Sequence, residues 1–405
     1  MFTLISFSRD VHAQTLNANT MRERPVPAED EVKKQLDESR WGLGPVRFDP
    51  YLKLGSIGYN NNVFGQIEAN AVSDLTASVS GGLNFVAPLG ARTYLLGAGG
   101  ASYNWYLEQT GLRRLAPTAS LEVLALWNRL RLQVGADIQQ ANLITTSEAA
   151  AAIPQETRNL KGTVSLEVLR LLSLVGGYRQ SQIRLDSEVD PANYAALDRD
   201  ETVLRGGLEY GFRSYMSLGV AAEKAETRFT DYSTNSDFDA TNYLVTARYD
   251  QRRFFLSLEA GTSEVETLGT GSNAGVTEQT PIYGAFLSYI PGTRTEVRMF
   301  TSRRVQPSQA AAADFLVESR TGAGIGFRLG NRTTLDASGE FGKNSYPVSR
   351  SDLRPDQDVT KATASLNFKV WRKAIVGFTV KWENYTSDDP RFDRRIVSGN
   401  ISASF

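Results

Sequence analysis

Hydrolytic, acid–base and metal chemistry need side chains that titrate near neutrality or bind a metal through nitrogen or sulfur. This chain of 405 residues offers almost none: its single histidine is His12, within residues 1–13, and it has no cysteine. No Ser–His pair, thiolate nucleophile or zinc set can be assembled from the rest. Carboxylates are plentiful, but no two stand out as an acid and base pair. An enzymatic role, a metal and a cofactor are therefore not expected. The charged residues instead recur at every second position. In 130–139, Leu130, Leu132, Val134, Ala136 and Ile138 alternate with Arg131, Gln133, Asp137 and Gln139. Such a wall can solvate: it offers hydrogen bonds and charge to a solute and lets it go. By this phase the candidate pore-lining groups are Arg131, Asp137, Arg205, Glu209, Arg248, Glu259, Glu296, Arg298, Arg320, Arg328, Asp336, Glu340, Lys361, Lys381 and Glu383.

The elements that position them must be strands, because apolar and polar residues alternate at period two. The same reading holds in 160–168, 362–370 and 374–383. Short turns fall near Pro88-Leu89-Gly90, Asn128, Leu171, Ser214, Arg252, Pro291-Gly292, Gly330-Asn331 and Arg372. Between them lie polar loops at 59–74, 107–115, 144–156, 187–199, 230–238, 268–277, 305–314, 345–358 and 387–392. That spacing predicts about eighteen strands in an all-β, up-and-down antiparallel transmembrane barrel, with short periplasmic turns and longer extracellular loops. A β-propeller has a similar period, but its blades hold four short strands rather than two long ones. Arg and Glu in mid-strand require a water-filled lumen if lipid surrounds the wall. Trp105, Trp127, Trp371 and Trp382, with Tyr94, Tyr210, Tyr249 and Tyr289, fall near strand ends and suit interfacial girdles.

The ends fit the same reading. The last strand, Arg395 to Phe405, alternates and stops on an aromatic residue, resembling the closing strand of bacterial outer-membrane barrels. That likeness makes Phe405 a candidate signal for the barrel assembly machinery. Residues 1–13 read as a truncated secretory signal, with Val11-His12-Ala13 as a cleavage site. Residues 14–45 read as a flexible periplasmic segment that could reach the barrel mouth, and 46–405 as the barrel. Glu29 to Trp41 could form one short helix, with Val32 and Leu36 as its small apolar face.

Forty-four basic and 45 acidic residues give a formal net charge of −1, which argues against nucleic acid as a partner. Inside the lumen, bases only slightly outnumber acids. Cross-strand ion pairs, such as Arg298 with a neighbouring glutamate, are expected over a one-signed strip.

The stretch Phe48 to Leu54 and then Tyr59-Asn60-Asn61-Asn62-Val63-Phe64 resembles the opening strand of outer-membrane β-barrel porins found with bacterial exopolysaccharide gene clusters. The resemblance implies a Gram-negative outer-membrane barrel without a cofactor, passing exopolysaccharide to the cell surface with periplasmic export partners. Two other functions fit the residues alone: a general diffusion porin for small hydrophilic solutes, and a structural or adhesive barrel that transports nothing.

Overall fold

The computed structural model of the chain describes residues 32–33, 35–37, 39, 41–64, 68–141, 144–145, 150–151, 154–185, 197–230, 236–268, 275–308, 313–347, 355–371, 374–389 and 393–404. The expected leader at 1–13, the turn residue Arg372 and the terminal Phe405 lie outside the described residues.

The strands are β1 (Trp41–Leu43), β2 (Val46–Asn60), β3 (Asp74–Pro88), β4 (Thr93–Tyr106), β5 (Arg114–Leu126) and β6 (Leu130–Ala141). A small hairpin, β7 (Ile144–Thr145) and β8 (Ala150–Ala151), follows. Next come β9 (Gln155–Leu169), β10 (Leu172–Leu185), β11 (Arg199–Arg213), β12 (Met216–Phe229), β13 (Asp237–Gln251) and β14 (Phe254–Leu268). The chain continues through β15 (Thr277–Tyr289), β16 (Thr295–Pro307), β17 (Phe315–Leu329), β18 (Thr333–Ser345), β19 (Gln357–Lys369), β20 (Ile375–Ser387) and β21 (Arg394–Ser404). β2–β6 and β9–β21 make a closed antiparallel barrel of 18 strands in which each strand pairs with the next and β21 returns to β2. Closure gives the backbone N–H and C=O groups partners that lipid cannot supply. The short turns lie where the alternation breaks; that between β17 and β18 uses Gly330 at φ +67°, a conformation that glycine reaches at no steric cost.

The seam is the shortest ladder of the barrel, and it is interrupted. β2 and β21 share register from Lys53↔Ser404 to Asn60↔Ser398, with a shift between Leu54 and Ile57. Tyr59-Asn60-Asn61-Asn62-Val63-Phe64 completes it. The Asn61 N–H donates to the Val397 carbonyl at 3.1 Å, and the Val397 N–H donates to Asn61 Oδ1 at 2.6 Å. Asn60 Oδ1 accepts from the Asn62 N–H at 2.9 Å, turning the chain toward Val63, which is buried with Tyr106 and Leu112. At the opposite end β1 pairs with Val46–Phe48, covering part of the β2 edge that β21 does not reach.

Register separates the two faces of the wall. Leu83, Leu121, Val134, Leu160, Leu174, Leu204, Val220, Val245, Leu258, Met299, Ile325 and Ile401 all share the exposed outer face. Toward the short turns, Tyr215, Tyr249, Phe254 and Tyr289 touch one another in a row, with ring centroids 5.5, 5.6 and 6.4 Å apart. Exposed Trp127, Trp371 and Tyr210 lie at the same level. Trp105 and Trp382 also face outward. Tyr94 does not: it lies opposite Leu124 on the inner face and packs in an apolar cluster there. A membrane barrel needs about 9–11 residues per tilted strand, so the strands of 14 and 15 residues overshoot the hydrocarbon. Outward charges occupy that overshoot at the loop ends, in pairs such as Arg184–Asp200 (2.7 Å), Arg228–Asp239 (2.6 Å) and Lys224–Glu226 (2.6 Å). An apolar belt with aromatic margins, closed over every strand, is a surface built for lipid, and the chain is an outer-membrane barrel.

A pair of adjacent substitutions tests the two faces. Leu121 is 51% exposed in mid-strand on the outer face; Ser120 faces inward opposite Asp137. Leu121→Lys should cost about 2–4 kcal/mol when folding is measured by urea titration in lipid, and Ser120→Lys a small fraction of that. Equal losses would contradict the assignment of faces.

Candidate functional site

Cross-strand register carries the face of each side chain around the ring. On the inner face it places Arg131 and Asp137 (β6), Arg205 and Glu209 (β11), Arg248 (β13), Glu259 (β14), and Glu296 and Arg298 (β16). Arg320 and Arg328 (β17), Asp336 and Glu340 (β18), Lys361 (β19), and Lys381 and Glu383 (β20) follow on that face. Some come together and others do not. Asp137 accepts from Asn159 Nδ2 at 2.8 Å, and Glu296 accepts from Ser288 Oγ at 2.8 Å. Arg248 pairs with Asp250 at 2.8 Å and lies over the Phe255 ring. Arg298 pairs with Asp336 across β17, where a glutamate was expected. Arg328 and Lys381 are exposed, and their side chains have no partner among the described residues.

Arg205, Glu259, Arg320, Glu340, Lys361 and Glu383 are drawn into two clusters beside a break in the wall, and Arg131 and Glu209 stand apart from both. β15 and β16 pair only from Tyr289↔Val297 to Tyr283↔Arg303. The next hydrogen-bonded pair along that ladder would need an N–H from residue 281, which is a proline. The Pro281 carbonyl, which faces β16, is instead taken by Arg303 Nε at 3.2 Å. A missing donor ends a ladder, so proline marks the point where two strands part. Beyond it, β16 stays paired with β17 up to Pro307↔Phe315, and the pair leans into the lumen. Val305, Val317 and Phe315, which alternation alone would turn outward, pack on the inner face of β12–β14 against Phe229, Phe238, Ala240 and Val265. The Phe315 and Phe238 rings are 5.7 Å apart. At the tip, the Ser236 N–H donates to Asp314 Oδ1 at 2.7 Å, tying the infolded hairpin to the loop before β13.

Charge secures the infold. Arg304 donates to Glu259 at 3.0 Å, and Arg205 lies 3.5 Å from Glu259 and 3.7 Å from Glu223. Asn242 donates to Glu223 at 2.9 Å. The cluster thus bridges β11, β12, β13, β14 and β16. On the other flank, Arg320 lies 3.3 Å from Glu318 and 3.9 Å from Glu340, and donates to the carbonyls of Ser319 and Lys343 and to Asn344. Lys361 pairs with Glu383 at 3.3 Å, and Tyr385 donates to Glu383 at 2.8 Å beneath the Arg394 guanidinium.

Aspartates close the loop bases. The N–H of Leu185, Phe229, Tyr346 and Ser387, each at a strand's end, donates to Asp198, Asp237, Asp356 and Asp393, respectively, across the following loop. Asp74 goes further, accepting from Leu107, Glu108 and Gln109 at 2.8–3.2 Å. Burial pushes the Asp198 carboxyl above its ordinary range, against the opposing pull of the Leu185 N–H.

Neither a protein-family model nor a curated protein matches the chain. Solved structures do. The crystal structure of Acinetobacter baumannii OccAB1 superposes with a TM-score of 0.52 at 9% identity, over 91% of this chain and 98% of that one. A BenF-like porin from Pseudomonas fluorescens Pf-5 gives 0.50 at 12% identity, over 88% and 98%. Pseudomonas aeruginosa OccK2 (OpdF), in complex with glucuronate, gives 0.50 at 11% identity, over 88% and 97%. The fold is that of an outer-membrane porin. The expected export of exopolysaccharide is corrected by this finding: the chains that share the fold over nearly their whole length are porins.

Proposed function

We propose that the protein is a passive channel for small hydrophilic solutes. The observation that carries this reading is the infolded β16–β17 hairpin, which narrows a wide barrel with polar groups of both signs. At this strand number an unobstructed wall would leave an aqueous pore. Arg328 and Lys381, exposed on the inner face with side chains that no described residue pairs, serve as hydrated contacts, and Arg131, Asp137, Glu209 and Glu296 line the remaining water-filled wall. The paired groups Arg205, Glu259, Arg320 and Glu340 shape the passage instead of touching the solute. Ser, Thr and Asn on β19–β21 and β2–β5, among them Thr363, Thr379, Asn400, Ser80 and Ser102, supply exchangeable hydrogen bonds.

Liposome swelling tests the proposal. Vesicles carrying the purified barrel should admit a monosaccharide quickly, a trisaccharide slowly and a polysaccharide not at all. No entry of any small solute would refute the channel reading, and passage of the polysaccharide would refute the size limit.

A further inference from the structure

The inner wall of a water-filled barrel is polar, yet an apolar patch lies on it away from the area that the infolded hairpin covers. At the short-turn end of β3–β5, Val86, Tyr94, Leu96, Leu124 and Leu126 gather on the inner face. They are neighbours of Glu122, Gln133 and Arg131 on the same face, so this patch is no extension of the lipid belt. Its occupant is in the chain. Residues 32–33 and 35–37 are helical, and Val32 and Leu36, four apart, share one helix face. Val32 is buried to 2% exposure against Val86 and Leu124, with Leu36 in the same cluster, while Lys33 and Asp37 are exposed. In a bacterial barrel the short turns mark the periplasmic side.

We infer that the segment carrying Val32 and Leu36 is a stopper seated inside the periplasmic mouth, held by its apolar face and released without unfolding the barrel. This regulates the channel proposed above and so rests on that reading. Among the described residues the seat is small: the apolar side chains of Val32 and Leu36 hold it, against the backbone ladders that hold the strands. A contact of this size can open while the wall stays intact. The arrangement would restrict solute flux from the periplasmic side independently of the infolded hairpin at the opposite end.

The chain has no cysteine, so a single introduced thiol reports cleanly. Leu124→Cys lies under the seat. In the full-length protein it should react slowly with a charged maleimide, and adding Val32→Asp and Leu36→Asp should speed the reaction several-fold. The barrel should keep its heat-modifiable mobility, because both aspartates lie outside it. Planar-bilayer conductance of Val32→Asp/Leu36→Asp should rise several-fold over the parent. Labelling that the two aspartates leave unchanged overturns the stopper, whatever the conductance. Labelling that rises while the conductance stays at the parent level also overturns it, provided that the parent conducts. Labelling that rises while neither protein conducts overturns the small-solute channel and leaves the seat standing.

Discussion

Glu259→Leu should widen the extracellular end and destabilise the barrel by about 3–5 kcal/mol, the usual consequence of removing one partner from an enclosed ion pair. Glu259 takes the guanidinium of Arg304 at 3.0 Å and lies 3.5 Å from that of Arg205, and the three side chains are only 6–14% exposed. Without it, two cations are left with Glu223, which lies 3.7 Å from Arg205, and with Glu318 opposite Arg304 on β17. The strain has an outlet that a regular barrel lacks, because β16 beyond Arg303 has no ladder to β15 and can swing away. Glu296→Leu makes the contrast. It loses one hydrogen bond from Ser288 in a less enclosed place and should cost about 1 kcal/mol. Urea titration in lipid measures the first effect, and the swelling rate with a trisaccharide measures the second. The double variant Glu259→Leu/Arg304→Leu should recover part of the stability but not the size limit, since it removes the stranded charge without restoring the tether. An unchanged trisaccharide rate in both variants would show that the hairpin does not narrow the passage.

The strands were legible because their signal is local. Alternation in Leu130–Ile138 or Ala362–Val370 states both the element and the face, and eight short turns at regular spacing require the chain to return to its start. The inner-face assignment of Arg205, Glu259 or Lys381 follows from the same alternation. What alternation cannot carry is height along the strand and contact across the lumen. Val305 falls in a stretch that reads as a polar loop, and Phe315 and Val317 alternate with the inward Glu318 and Arg320, yet all three pack inside, because the wall opens at Pro281. That proline was visible in the sequence. Its effect depends on which neighbour its missing N–H faces, and only the register of β15 between β14 and β16 decides this. Tyr94 reads as a girdle residue because it is aromatic and near a strand end; its phase, shared with Leu96, turns it inward. The Asn60-Asn61-Asn62 run was recognised by resemblance alone, and its work at the seam needs Val397, far away in sequence.

Arg320→Leu should be the most damaging substitution on the opposite flank, at about 3–5 kcal/mol. Its side chain is 1% exposed and those of Glu318 and Glu340 10% and 8%, so bulk water cannot compensate the two carboxylates it leaves behind. Its loss also strips donors from the carbonyls of Ser319 and Lys343 and from Asn344. Asp336→Ala provides the scale. Its partner Arg298 is 21% exposed and Asp336 itself 40%, so the stranded cation can be hydrated and the cost should be about 0–1 kcal/mol. If the loss comes from charge, Arg320→Leu combined with Glu318→Gln and Glu340→Gln should regain a large part of it at neutral pH. If the triple variant is no more stable than Arg320→Leu, the arginine acts by filling space beside Gly342, where the Cδ already lies 2.9 Å from the position a Cβ would take.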